Sequence, residues 1–132
     1  LKVYLVGEVC TPSIREGDLL LVGSGSGETA GMIAICKKAK AAGAEVAVFA
    51  KNRNSTIASI AKVAVQLNTA KPIQEGAAGP DGWIEGNYFS IRPSGNPFEQ
   101  SIVIVGDAMV CELMQKTNCG TAKIAYNHAN LE

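Results

Sequence analysis

Histidine occurs once in these 132 residues, and aromatic side chains make up only 5% of them. The four cysteines, Cys10, Cys36, Cys111 and Cys119, form no Cys-x-x-Cys pair. One histidine (His128) and scattered thiols offer no metal-ligand spacing, so no structural zinc is expected. Thiols set among apolar neighbours fit a reduced, cytosolic protein. Net charge is absent as well, since 12 Lys and Arg balance 12 Asp and Glu. No field gathers nucleic acid, and no basic stripe interleaves with aromatics. Apolar runs such as 102–105 are far too short to span a bilayer, so no membrane partner is expected. Methionine is missing at position 1. The chain opens at Leu1 directly into an apolar run, which predicts that a preceding segment is absent.

What is present describes an ordinary globular chain, 47% hydrophobic and 18% charged, sized for one domain over residues 1–132. Buried strands are predicted over 3–6, 19–22, 45–50 and 63–67, from short apolar runs rich in β-formers. Helices are predicted over 12–15, 28–42, 55–62, 97–116 and 121–131. Gly43 supplies a stop for the second of these, and Ser55 caps the third. Buried strands alternating with helices predict an α/β fold, a three-layer sandwich whose parallel sheet is covered by helices on both faces. Residues 68–95 differ: Gly, Pro, Asn and Asp are frequent and no period persists, which predicts a long functional or mobile loop. The helix over 97–116 is apolar all round at 102–105, the mark of a helix buried in a core or a subunit interface.

The chemistry concentrates at 17–29, GDLLLVGSGSGET, where an apolar strand breaks into alternating glycine and serine. A parallel strand that turns directly into a helix aims the helix's first N–H groups past the sheet edge, where they attract an anion. Gly25 and Gly27 let the backbone approach closely, and the hydroxyls of Ser24, Ser26 and Thr29 suit phosphate oxygens. A nucleotide-hydrolysing P-loop would need Lys where Glu28 stands. A dinucleotide fingerprint would need an acid after the next strand, which ends instead at Ala50-Lys51. A capped strand–helix turn without ligand would not need so many glycines and hydroxyls.

Ser24-Gly25-Ser26-Gly27-Glu28-Thr29 matches the S-x-S-G-x-T motif, and the chain thereby resembles the sugar isomerase (SIS) domain family. Further segments narrow the resemblance: Val6-Gly7-Glu8 with Thr11-Pro12, then Phe98-Glu99-Gln100, then His128-Ala129-Asn130-Leu131-Glu132. Together they are similar to the branch of that family that isomerises hexulose 6-phosphates. The resemblance implies a flavodoxin-like five-stranded parallel sheet and a homo-tetramer. It also implies interconversion of 3-hexulose 6-phosphate with fructose 6-phosphate, without metal or organic cofactor. An upstream strand and helix bearing a G-x-S element are implied too, and this chain lacks them, so its first strand is expected to be missing. Cys10 stands where a threonine is usual, and residues 92–97 depart from the family's run.

Such a reaction needs a base beside the carbonyl. On residue pattern alone Glu99 is the third member of a capping box, behind Asn96 and Pro97. The resemblance makes it the catalytic base. His128 is by itself a solvated or helix-capping side chain. By resemblance it polarises a carbonyl oxygen or assists ring opening, reaching the site of a neighbouring subunit. Glu8, after the first predicted strand, is either a solvated loop acid or a contact to sugar hydroxyls. Asp107 reads as a hydrogen-bonded packing group. The other class of function open to this sequence is a non-catalytic sugar-phosphate-binding module of a regulatory protein.

Overall fold

The computed structural model describes residues 1–68 and 97–128. It falls into two units, 1–68 and 69–132. The predicted loop over 68–95 lies outside the described residues except at Asn68, as do Asn96 and residues 129–132.

In the first unit the order is β1 (Leu19–Gly23), α1 (Ala30–Ala41), β2 (Glu45–Ala50), α2 (Thr56–Ile60) and β3 (Val63–Gln66). All pairings are parallel and the strand order is β1-β2-β3, with Leu20 opposite Val46 and Val48 opposite Ala64. This is the α/β arrangement the alternation of strands and helices predicts, a parallel sheet with flanking helices. Side chains alternate across a strand. Leu20, Val22, Val46, Val48 and Ala50 therefore share one face, where they form a single core with Cys36 and Ala39 of α1 and Ile57 and Ala58 of α2. The other face carries Leu19, Leu21, Val63 and Val65, all exposed, around the buried Phe49.

Helix α1 ends as the sequence predicts. The chain turns at Gly43, whose φ of +85° suits a residue without Cβ. Helix α2 has only five residues, too few to be stable alone. It is held from three sides. Ile57 is 0% exposed in the core, the Ser55 hydroxyl accepts from the Ala58 N–H at 3.3 Å, and Lys40 Nζ donates to the last carbonyl, that of Ile60, at 2.9 Å.

Two predicted elements are absent. Residues 3–6 form no strand, and Val3, Tyr4, Leu5 and Val6 are all exposed. A strand exists only through its ladder, and among the described residues the sheet closes at β1, β2 and β3, leaving this run no partner. Residues 12–15 form no helical turn either. Instead Thr11 turns back: its N–H donates to the Glu8 carbonyl at 3.1 Å and its hydroxyl donates to the Leu5 carbonyl, so it caps a reverse turn rather than a helix.

The second unit contributes α3 (Pro97–Lys116) and α4 (Thr121–Asn127). Phe98 is buried and Ile102, Val105 and Met109 are half-buried, a stripe at helical spacing. Val103 and Ile104, at 64% and 69%, are exposed, so the all-round apolar segment is not enclosed on that side. Asp107 is exposed rather than packed, because it lies off the half-buried stripe. Helix α3 stops at Asn118, in the left-handed region at φ +51°, with the Cys119 N–H donating to the Met114 carbonyl at 2.8 Å. Among the described residues no helix is long and apolar enough to cross a membrane.

The core assignment predicts a contrast. Ile57→Ala should lower unfolding free energy by about 2–5 kcal/mol, the usual cost of emptying a fully buried aliphatic site. Leu19→Ala, on the exposed face, should cost less than about 1 kcal/mol. Urea denaturation of the two variants measures both.

Candidate functional site

The loop 24–29 joins the end of β1 to the start of α1, and the β1–β2 ladder continues into it. The Ser24 N–H donates to the Phe49 carbonyl at 2.9 Å, and the Lys51 N–H donates to the Gly25 carbonyl at 3.2 Å. The loop after β1 therefore lies beside the loop after β2, at the C-terminal edge of the sheet. That edge is where open parallel sheets bind ligands.

Inside the loop, hydroxyls hold the backbone. Ser24 Oγ, in a side chain whose residue is only 5% exposed, accepts from the Gly27 N–H at 3.1 Å. Ser26 Oγ accepts from the Glu28 N–H at 3.2 Å. Both serines are expected at the ligand from the motif, and Ser24 has a second task in shaping the loop. Gly27 has φ +69°, and a Cβ there would overlap Ser55 Oγ. Only glycine fits both its dihedral and its neighbour.

The helix begins later than predicted, at Ala30 rather than Glu28, with Thr29 as N-cap. Its first backbone bond runs from the Ile33 N–H to the Thr29 carbonyl at 3.0 Å. The N–H groups of Ala30, Gly31 and Met32 thus precede the intrahelical ladder, at the positive end of the dipole. Thr29 makes no side-chain cap bond, and no acidic residue occupies the first turn of α1. An exposed threonine hydroxyl, an exposed serine hydroxyl at Ser26 and a helix N-terminus without a competing carboxylate suit an anion such as phosphate.

Glu28 points its charge elsewhere. Its Oε1 accepts from the Thr56 N–H, at the start of α2, at 2.7 Å. The Thr56 hydroxyl first, and then its backbone N–H, hold the carboxyl below its ordinary value of 4.5. A depressed carboxyl contributes stability that is full above that ordinary value and lost as pH falls through the lower folded one. Beside it, the Ile57 N–H donates to the Gly27 carbonyl at 3.1 Å.

The five loop residues Ser24, Gly25, Ser26, Gly27 and Thr29 are thus brought together. Glu8 is exposed in an irregular segment of the same unit, its N–H donating to the Leu5 carbonyl at 3.2 Å in a turn through Gly7. Its predicted place at the end of a strand is corrected, since residues 3–6 are not a strand. Glu99 and His128 belong to the second unit. Glu99 is exposed in the first turn of α3. His128 is exposed at the C-cap of α4, its N–H donating to the Ala125 carbonyl at 3.3 Å. Among the described residues, no three His, Cys, Asp or Glu side chains are grouped to hold a metal ion. Sequence reasoning missed the attachment of the loop to α2. Glu28 and Thr56 are 28 positions apart, and only the folded sheet edge brings them together.

Comparison with known proteins agrees with this geometry. The SIS domain family model matches residues 5–80. A protein of Bacillus subtilis (strain 168) named 3-hexulose-6-phosphate isomerase is 35% identical over 99% of this chain and 66% of its own length. One of the same name from Mycobacterium gastri is 35% identical over 100% of this chain and 61% of its own length. The chain therefore spans somewhat less than two thirds of these relatives. A crystal structure from Methanococcus jannaschii, for which a molecular function of 3-hexulose-6-phosphate isomerase has been inferred, superposes with a TM-score of 0.74 at 26% identity. It covers 98% of this chain and 63% of that one.

The loop geometry predicts that Gly27→Ala lowers stability by about 2–4 kcal/mol, through left-handed strain and overlap with Ser55. Gly31→Ala, where a Cβ meets nothing within 4 Å, should be neutral or slightly stabilising. Thermal or urea unfolding of the pair distinguishes a packed loop from a loose one.

Proposed function

The chain belongs to the SIS domain family, and from that premise we propose that it is the sugar-phosphate-binding part of an isomerase interconverting 3-hexulose 6-phosphate and fructose 6-phosphate. The observation that carries this reading is the loop 24–29, pinned to β2 and α2 and open toward the N-terminus of α1. The names of the 35% identical relatives support the substrate.

The substrate phosphate sits against the backbone N–H groups at the start of α1 and the hydroxyls of Ser26 and Thr29, while the Gly27 and Glu28 N–H groups are engaged by Ser24 and Ser26 in shaping the loop. Held by its phosphate, the sugar presents its carbonyl to a base. That base is Glu99. It removes the proton from C2, next to the C3 carbonyl, and the electron pair forms a C2–C3 enediol. Return of the proton to C3 and reformation of the carbonyl at C2 gives fructose 6-phosphate, with every atom conserved. His128 polarises the carbonyl oxygen or assists ring opening, and Glu8 contacts sugar hydroxyls. The reaction changes no oxidation state overall and asks for no cofactor. The exposed Val103 and Ile104 of α3 fit an association surface, consistent with a homo-oligomer whose sites lie near subunit boundaries and which works in the cytoplasm.

Two variants of the intact protein test the reading together. Ser26→Ala with Thr29→Ala should raise KM for fructose 6-phosphate far more than it lowers kcat, since phosphate binding is shared by ground and transition states. Glu99→Gln should lower kcat roughly a hundredfold to ten-thousandfold while sugar phosphate still binds. A Gln variant with near-normal turnover removes Glu99 from the chemistry. Tight binding of the sugar phosphate by the unaltered protein, with no turnover, would instead identify a sensor module.

A further inference from the structure

Glu28 stands where a nucleotide-hydrolysing loop would carry a lysine. Its position in the fold gives it a task of its own. A carboxylate next to an anion cup opposes anion binding by its charge. Here that charge faces the first turn of α2, where three N–H groups precede the intrahelical ladder and the Ser55 hydroxyl takes only that of Ala58. Glu28 Oε1 takes one of them, from Thr56, at 2.7 Å. The Gly27 carbonyl takes the next, from Ile57, at 3.1 Å. Ser55, whose hydroxyl caps α2, fills the space that a side chain at residue 27 would need. Two adjacent loop residues thus satisfy two adjacent helix donors, over a contact too close for any residue but glycine.

We infer that Glu28 is a positioning residue: its carboxylate latches the glycine-serine loop to the first turn of α2 and so holds the loop in the form that receives phosphate. This rests on the phosphate-binding reading of the loop and extends it. The latch serves both partners. A five-residue helix cannot hold its own first turn, and a loop rich in glycine cannot hold its own shape. Each supplies the other's missing constraint. The acceptor oxygen is the working part of the device, and the contact with Thr56 is what holds it in place.

A latch and a mere nearby charge predict opposite signs. If Glu28 acted only by charge, its removal would tighten anion binding. If it is the latch, Glu28→Ala should weaken the affinity of the intact protein for inorganic phosphate roughly threefold to tenfold, the loss of one solvent-exposed charged hydrogen bond. Glu28→Gln keeps an oxygen acceptor and should stay within about twofold of the unaltered protein. Thr56→Pro removes the donor instead. Proline suits the first helical position, and the preceding Ser55 already has extended dihedrals of φ −74° and ψ 160°. That variant should weaken phosphate binding as Glu28→Ala does, and the double variant should be no worse than either alone. It also keeps the question answerable should Glu28→Ala fail to fold.

Calorimetric titration with phosphate reads the unaltered protein and the four variants, and amide exchange at Ile57 should quicken in both latch-breaking variants but not in Glu28→Gln. Ser26→Ala with Thr29→Ala serves as the reference for the loop itself. If that reference loses phosphate while Glu28→Ala and Thr56→Pro bind it normally or more tightly, the latch is overturned and the phosphate reading stands. If the unaltered protein binds no phosphate, or the reference variant binds it undiminished, the phosphate reading fails and the latch fails with it.

Discussion

Parallel pairing of β1 with β2 sets the whole ligand edge, because parallel strands deliver their following loops to the same side of the sheet. Gly23 lies opposite Phe49, so residues 24–29 and 51–55 leave the sheet side by side. Everything described at the site follows from that adjacency. The Ser24 and Lys51 N–H groups extend the ladder across the two loops, Gly27 packs against Ser55, and Glu28 reaches Thr56. An antiparallel pairing would send the second loop to the far edge and leave a glycine-serine turn with nothing to lean on.

Zero net charge does not by itself disfavour an anion at one edge of a sheet. No lysine or arginine is needed at the loop if backbone donors are concentrated there. The first turn of α1 has no acidic side chain, and the acid that precedes it is turned toward α2. Local arrangement of partial charges, rather than the overall balance, decides what the edge attracts.

Much of this was legible in the sequence, for physical reasons. Stretches 19–22, 45–50 and 63–67 are short apolar runs rich in β-formers, and the structure places β1, β2 and β3 over them within one or two residues, though Leu19, Leu21, Val63 and Val65 are exposed rather than buried. The Ser55 cap and the Gly43 stop are local chemistry, decided by residues that touch one another along the chain. The motif at 24–29 marked the loop because glycine and serine at that density have few other uses. What could not be read was pairing. Residues 3–6 have the composition of a strand, but composition does not supply a neighbour, and the run is exposed. Glu8 lost its assigned place with it. The Glu28–Thr56 contact was equally hidden, since neither residue is unusual where it stands and the sheet alone brings them together. The all-round apolar stretch of α3 signalled burial, yet Val103 and Ile104 face outward in this chain, because hydrophobicity alone cannot say which surface covers a helix.

The central claim is that residues 24–29 and the start of α1 receive the phosphate of the sugar. Backbone amide shifts followed by NMR during a titration with fructose 6-phosphate test it most directly, because the proposed donors are the reporters themselves. Saturable shifts should be largest at the N–H groups of Gly25 to Met32, with inorganic phosphate reproducing the same pattern at weaker affinity. Binding of the sugar phosphate that leaves those amides unmoved, with its largest shifts elsewhere in the chain, would contradict the account.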